Sequence, residues 1–185
     1  MKEDENLRWK ILHSEYLHKS KWLTVRADEV ELPDGKVLSP YYVLEYNNWI
    51  NVLAITKDRQ FVFVRQYRHG AAEVDFELCA GFIEDNDPSP LVAAQRELLE
   101  ETGYGNGEWA EFTRLSANPS THNNITYCYL AEGVEKISEQ QLDESEFISA
   151  HLLSIEEVKE LLDTGKIRQS LMAAALWKYI AVNKL

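Results

Sequence analysis

The chain has 185 residues, a net charge of −12 and 45% hydrophobic side chains, which fits one globular domain, or one with a small appendage, and excludes a wholly disordered chain. The acid excess excludes a nucleic-acid binder working through a basic footprint. No apolar run approaches the ~20 residues of a membrane span, and the charged start Met1-Lys2-Glu3-Asp4-Glu5 lacks the apolar core of a secretory leader, so the expected address is the cytosol.

In chain order, Trp22 to Leu32 alternates as a half-buried strand, Pro33-Asp34-Gly35 marks a tight turn, and Tyr41 to Tyr46 returns as its hairpin partner. Trp49 to Ile55 and Phe61 to Gln66 are rich in β-branched and aromatic residues, with Lys57 to Gln60 as the turn between them. Ser89-Pro90 has the form of an N-cap followed by proline at the first helical position, and the helix should run to Thr102 and stop at Gly103. Ile125 to Leu130 is a further strand. Ser154 caps a helix over Ile155 to Leu162, where Glu157 completes a capping box, and a last helix covers Arg168 to Val182. Cys79 and Cys128 lie in apolar runs and read as core thiols. The expected class is α+β, or a three-layer α/β/α, with a mixed sheet and helices concentrated late in the chain.

The stretch Arg96-Glu97-Leu98-Leu99-Glu100-Glu101-Thr102-Gly103 carries the chemistry. On a helix, Glu97, Glu100 and Glu101 fall within an arc of about 100°. Like charges at these spacings cost roughly 0.2–0.5 kcal/mol each, and anions in the last turns oppose the macrodipole. Such a face is either simply solvated or built to hold a cation. An all-oxygen set of this kind suits Mg²⁺ or Mn²⁺.

Three other patterns carry nothing. Gly103-Tyr104-Gly105-Asn106-Gly107 follows a helix where a dinucleotide loop must follow a strand. The five histidines show no paired zinc-ligand spacing, and no Gly-x-Ser-x-Gly elbow occurs.

Gly81 followed by Arg96-Glu97-Leu98-Leu99-Glu100-Glu101-Thr102-Gly103-Tyr104 resembles the Nudix box. The resemblance implies an α/β/α sandwich that hydrolyses a nucleoside diphosphate linked to another moiety. It implies divalent metal held by Glu97, Glu100 and Glu101 with the Ala80 carbonyl, and an Arg96 ion pair orienting the glutamates. The interval from Gly81 to Arg96 is one residue longer than the family pattern, and the family's loop glutamate is either replaced by Asp87 or displaced to Glu84.

Outside the box, Val64-Arg65-Gln66-Tyr67-Arg68 and Phe76-Glu77-Leu78-Cys79-Ala80-Gly81 resemble the ADP-ribose and ADP-sugar pyrophosphatases, which implies substrate contacts at Arg68 and Glu77. Pro119 stands where that subfamily has a marker proline, although Ala117 to Asn124 lacks its usual Ser-Pro-Gly. The acidic run Asp143-Glu144-Ser145-Glu146 matches the loop that supplies the catalytic base, implying Glu144 as base and Glu146 beside the metal. Residues 1–46 would form an N-terminal β region and 47–185 the hydrolase domain. In the subfamily the N-terminal region pairs two subunits and stacks the base, which implies a homodimer and a base-stacking role for Trp22, with Tyr42 and Trp49 as core or interface aromatics. His122 reads as a plain loop histidine. The expected reaction is metal-dependent cleavage of ADP-ribose to AMP and ribose 5-phosphate, with a nucleotide sugar as partner and neither nucleic acid nor membrane. Two alternatives stand beside it: a non-catalytic nucleotide-sugar sensor, and a housecleaning hydrolase of nucleoside triphosphates or dinucleoside polyphosphates.

Overall fold

Alternation along one central strand sorts the core into two faces. The computed structural model describes residues 7–144 and 146–185. In β4 (Trp49–Thr56), Ile50, Val52 and Ala54 point to one side of the sheet, while Leu53 and Ile55 point to the other. The first set packs on Ala93, Ala94 and Leu98 of helix α1 (Pro90–Thr102). The second packs on Val158 and Leu162 of α2 (Ile155–Asp163) and on Met172, Ala175, Leu176 and Tyr179 of α3 (Ser170–Asn183). The result is the expected α/β/α sandwich. Each fully buried Leu, Ile, Val or Phe on these faces contributes about 1.5–3 kcal/mol of transfer free energy.

The sheet is mixed and has eight strands among the described residues. β5 (Phe61–Arg68) lies antiparallel to β4 and to β11 (Ser149–Leu153), while β10 (Thr126–Lys136) lies parallel to β4. β6 (Glu73–Glu77) pairs with β5, and β7 (Cys79–Phe82) pairs with β4. β8 (Tyr104–Gly105) and β9 (Glu108–Leu115) both pair with β10. Cys79 and Cys128 are buried free thiols. Among the described residues no helix is long and apolar enough to cross a membrane.

The helix signals translate closely. Ser89 Oγ accepts the Val92 N–H at 3.3 Å, and Gly103, at φ 71°, donates its N–H to Leu99 O at 2.8 Å. The Ser154–Glu157 capping box is complete. The last helix begins at Ser170 rather than Arg168, because Gln169 Oε1 caps Met172 N–H at 2.9 Å and Arg168 is drawn to Asp75 at 2.6 Å. Gly103 to Gly107 proves to be a helix stop followed by the short strand β8.

Contacts divide the chain into two units, one holding the chain up to Asn47 with Asn118–Asn124, the other Asn48–Ala117 with Ile125–Leu185. The expected hairpin in the first is β2 (Thr24–Glu31) with β3 (Val37–Glu45), turning where Gly35 N–H meets Leu32 O at 2.9 Å. A third strand, β1 (Lys10–Lys19), completes an antiparallel sheet that alternation did not reveal. Its pairing with β2 slips between Ile11 and His13 and between Tyr16 and His18, so Leu12 and Leu17 are bulged residues beside another apolar one. That breaks the period of two. Tyr41 Oη donates to Ser120 O, and Leu44 N–H to Thr121 O at 2.7 Å, which fastens the Asn118–Asn124 segment to β3.

Candidate active site

Helix α1 presents its acidic face to strand β7. Glu101 is 3% exposed, and its Oε2 accepts the Ala80 N–H at 3.2 Å. The Cys79 thiol also hydrogen-bonds this carboxylate. Burial pushes Glu101 up to about 8, with the charges of Glu97 and Glu146 adding to the effect. Glu97 is pushed up to about 7, again by burial first, with Glu100 and Glu146 contributing and Arg96 opposing. Gly81 is required here: a Cβ on it would stand 2.1 Å from the Glu97 carboxylate carbon. The backbone at Gly81 thus leaves the space that the Glu97 carboxylate fills.

Arg96 spends all five N–H groups on this cluster. It meets Asp87 at 3.2 and 2.9 Å, Phe82 O at 3.2 Å, and Glu97 and Glu100 at 3.0 Å each. Asp87 holds the Arg96 guanidinium above its ordinary range, and Arg96 in turn holds the Asp87 carboxyl below the usual carboxylate value. Of the two loop acids left open by the sequence, Asp87 is the one that pairs. Glu84 contributes its backbone N–H to Asp87 Oδ2 at 2.9 Å.

Alternation in β5 puts Gln66 and Arg68 on the same side of the strand. Arg68 Nε donates to Glu77 Oε1 at 2.8 Å and its terminal nitrogen to Glu77 Oε2, where Gln66 Nε2 adds a contact at 3.3 Å. Glu77 is 3% exposed, whereas the Arg68 side chain is 39% exposed. Glu77 raises the Arg68 pKa, and Glu101 is close enough to raise it further. Both Glu77 oxygens are therefore engaged by protein donors, while Arg68 keeps N–H groups for another partner.

The unit beginning at Asn48 thus gathers Arg68, Glu77, Ala80, Glu97, Glu100, Glu101 and Glu146. Glu146 is half-buried, its N–H bonds Asp143 O at 2.9 Å, and its Oε2 accepts the Asp143 N–H at 3.0 Å. Glu144 is exposed in the adjoining turn. Trp22 and Pro119 belong to the other unit, both exposed, with Lys21 Nζ 4.5 Å above the Trp22 ring. Tyr42 is exposed, His122 packs edge-on to Tyr46 at 5.3 Å, and half-buried Trp49 packs against half-buried Phe82 at 4.4 Å.

The donor set fits a hard divalent cation. It is all oxygen, and Glu97 and Glu101 are carboxylates whose burial, with smaller contributions from neighbouring acids, disfavours their charged forms in the absence of a cation. Among the described residues, no three His, Cys, Asp or Glu side chains converge as a ready-made cage, since Arg96 holds Glu97 and Glu100 to itself. The residues that would hold a metal are Glu97, Glu100 and Glu101, with the Ala80 carbonyl and Glu146 beside them.

Sequence reasoning missed three residues of this neighbourhood. Gln66 was findable, standing two residues before Arg68 on a strand. Cys79 lies in an apolar run that signals only a core thiol, and its contact with Glu101 depends on long-range packing. Gln140, which donates to Glu101 O, has no sequence signal.

Residues 47–175 match the family model described as NUDIX domain, and residues 9–44 the one described as nucleoside diphosphate sugar hydrolase N-terminal domain. The chain is 28% identical over 173 residues to a protein of Bacillus subtilis (strain 168) named ADP-ribose pyrophosphatase, covering 93% of this chain and 92% of the relative. It is 30% identical over 162 residues to the methanol dehydrogenase activator of Bacillus methanolicus, covering 87% and 86%. The crystal structure of an ADP compounds hydrolase shares the fold with a TM-score of 0.78 at 22% identity, covering 96% of this chain and 97% of that one.

Proposed function

The chain belongs to the Nudix family of hydrolases, and from that premise we propose that it cleaves the pyrophosphate of a nucleoside diphosphate sugar, with ADP-ribose split to AMP and ribose 5-phosphate as the preferred reaction. The observation that carries this reading is one fixed cation, Arg68, held by buried Glu77 within the field of buried Glu101. A pyrophosphate is polyanionic, so a site with this much carboxylate needs both a metal and a guanidinium to accept it. The match of residues 9–44 supports a nucleotide sugar as the class, and the name of the Bacillus subtilis relative supports ADP-ribose within it.

Glu97, Glu100 and Glu101 would hold Mg²⁺ or Mn²⁺, which when bound would supply positive charge for the phosphates and lower the pKa of the attacking water. The protein's own groups do the rest. Arg96 orients Glu97 and Glu100, and Ala80 N–H orients Glu101. Arg68 binds phosphate oxygen, with Glu77 fixing its plane. Glu144 takes the proton from the attacking water and Glu146 supports the metal side. Trp22 and Pro119 contact the nucleoside or sugar, in a cytoplasmic homodimer in which the N-terminal residues 1–46 act as a separate β region and residues 47–185 as the hydrolase domain.

The test is a ranking of kcat/KM in Mg²⁺ for ADP-ribose, ADP-glucose, GDP-mannose and dATP. A preference for ADP-ribose supports the reading. A preference for dATP overturns it in favour of a triphosphate housecleaning enzyme.

A further inference from the structure

A helix leaves its last carbonyls to donors outside itself. At the end of α1, Leu99 O takes Gly103 N–H at 2.8 Å, Glu100 O takes Gln141 N–H at 2.9 Å, and Thr102 O takes Lys136 Nζ at 2.9 Å. Glu101 O takes the side-chain amide of Gln140. That same nitrogen also donates to Ile148 O at 3.3 Å. The second bond does nothing for the helix end. It ties together the two ends of the acidic segment that carries Glu144 and Glu146.

Charge explains why a tie is needed there. Glu146 lies close enough to the helix face holding Glu97, Glu100 and Glu101 for its charge to be felt at both Glu97 and Glu101, and Asp143 and Glu144 are its acidic neighbours in the chain. Repulsion alone would move the segment away. A neutral carboxamide holds it without adding charge to the site, and buried Ile148 anchors the far end.

We propose that Gln140 is a positioning residue: by bridging Glu101 O and Ile148 O, it sets Glu144 and Glu146 against the metal-binding turn of α1. The proposal rests on reading this segment as the source of the base. It calls for donors at position 140, not bulk. Gln140→Leu keeps the size and removes the donors, Gln140→Glu presents only acceptors to two carbonyls, and Gln140→Lys restores donors.

The experiment measures kcat and KM for ADP-ribose in Mg²⁺ for these variants, with hydrogen exchange over residues 141–147. In Gln140→Leu, kcat falls about 10–100-fold, the scale of a ~1 Å misplacement, KM stays within about twofold, and exchange over the segment speeds up while α1 is unchanged. Gln140→Glu is at least as impaired, and Gln140→Lys recovers most of the rate. Wild-type kcat in Gln140→Leu, or unchanged exchange, overturns the proposal. Glu144→Gln, measured alongside, separates the premises: if it loses rate while Gln140→Leu does not, the clasp alone is wrong; if it too is fully active, the base assignment falls as well.

Discussion

Ala80 and Glu101, 21 residues apart, are joined by a hydrogen bond of 3.2 Å from the strand backbone to the helix carboxylate. The bond locks strand β7 to the last turn of α1, the two elements on which the acidic site depends. It also leaves Glu101 buried, with the Glu97 carboxylate filling the space left open at Gly81.

Glu101→Gln keeps the acceptor for Ala80 N–H and removes the charge. Metal-assisted charge stabilisation is worth several kcal/mol, so kcat with ADP-ribose should fall at least about 100-fold at about 1.4 kcal/mol per tenfold. Thermal unfolding without metal should show Tm unchanged or higher at pH 8.5, because a buried carboxylate has been replaced by a neutral amide. Near-normal turnover would remove Glu101 from the metal set.

The pH dependence of stability has a definite sign. Glu97 and Glu101 sit at about 7 and about 8 in the fold, against 4.5 as the ordinary value. Between those limits the native state holds protons that the unfolded chain has released, so metal-free stability is full at low pH and falls as pH rises through the folded values. Asp87 acts oppositely: its lowered pKa, set by the Arg96 hydrogen bonds, gives stability above 3.8 that is lost in stronger acid. With chelator, Tm should therefore decline from about pH 5 to about pH 9. Saturating Mg²⁺ should flatten that decline, and Glu101→Gln should reduce it. A chelated Tm that rises over this range contradicts the burial argument.

Gly81→Ala places a methyl 2.1 Å from the Glu97 carboxylate carbon. The end of a glutamate side chain can rotate away, so the fold survives while the ligand geometry does not. Activity should drop about 10–100-fold with little change in Tm. Gly70→Ala, with nothing within 4 Å, is the matched control and should be fully active.

Glu77→Gln takes the bidentate partner from Arg68. Breaking a fully buried pair costs about 3–5 kcal/mol, but with Arg68 39% exposed the cost should be about 1–2 kcal/mol. Steady-state kinetics should show KM for ADP-ribose raised about tenfold with a smaller change in kcat, the mark of lost substrate binding. Unchanged KM would mean that Arg68 does not hold the phosphates.

Legibility in the sequence followed the range of the interactions. Helix α1 was readable to the residue because Ser89, Pro90 and Gly103 act on their own backbone. β4 and β5 were readable because burial on both faces makes their runs apolar. Strand β1 was not, since its bulges at Leu12 and Leu17 destroy alternation. The acidic face of α1 was visible from helical geometry, and its metal reading from the box around it. The choice of Asp87 over Glu84 was hidden, because both lie in one loop and only the fold decides which carboxylate reaches Arg96. The engagement of both Glu77 oxygens by Arg68 and Gln66 was equally hidden, being a matter of cross-strand geometry between β5 and β6.

The most direct test of the central claim is identification of the products of ADP-ribose by chromatography, in Mg²⁺ and again with excess chelator. The account predicts AMP and ribose 5-phosphate in equal amounts with metal and neither with chelator. Intact ADP-ribose in both arms, from protein that binds it tightly, would contradict the account and leave a sensor in place of an enzyme.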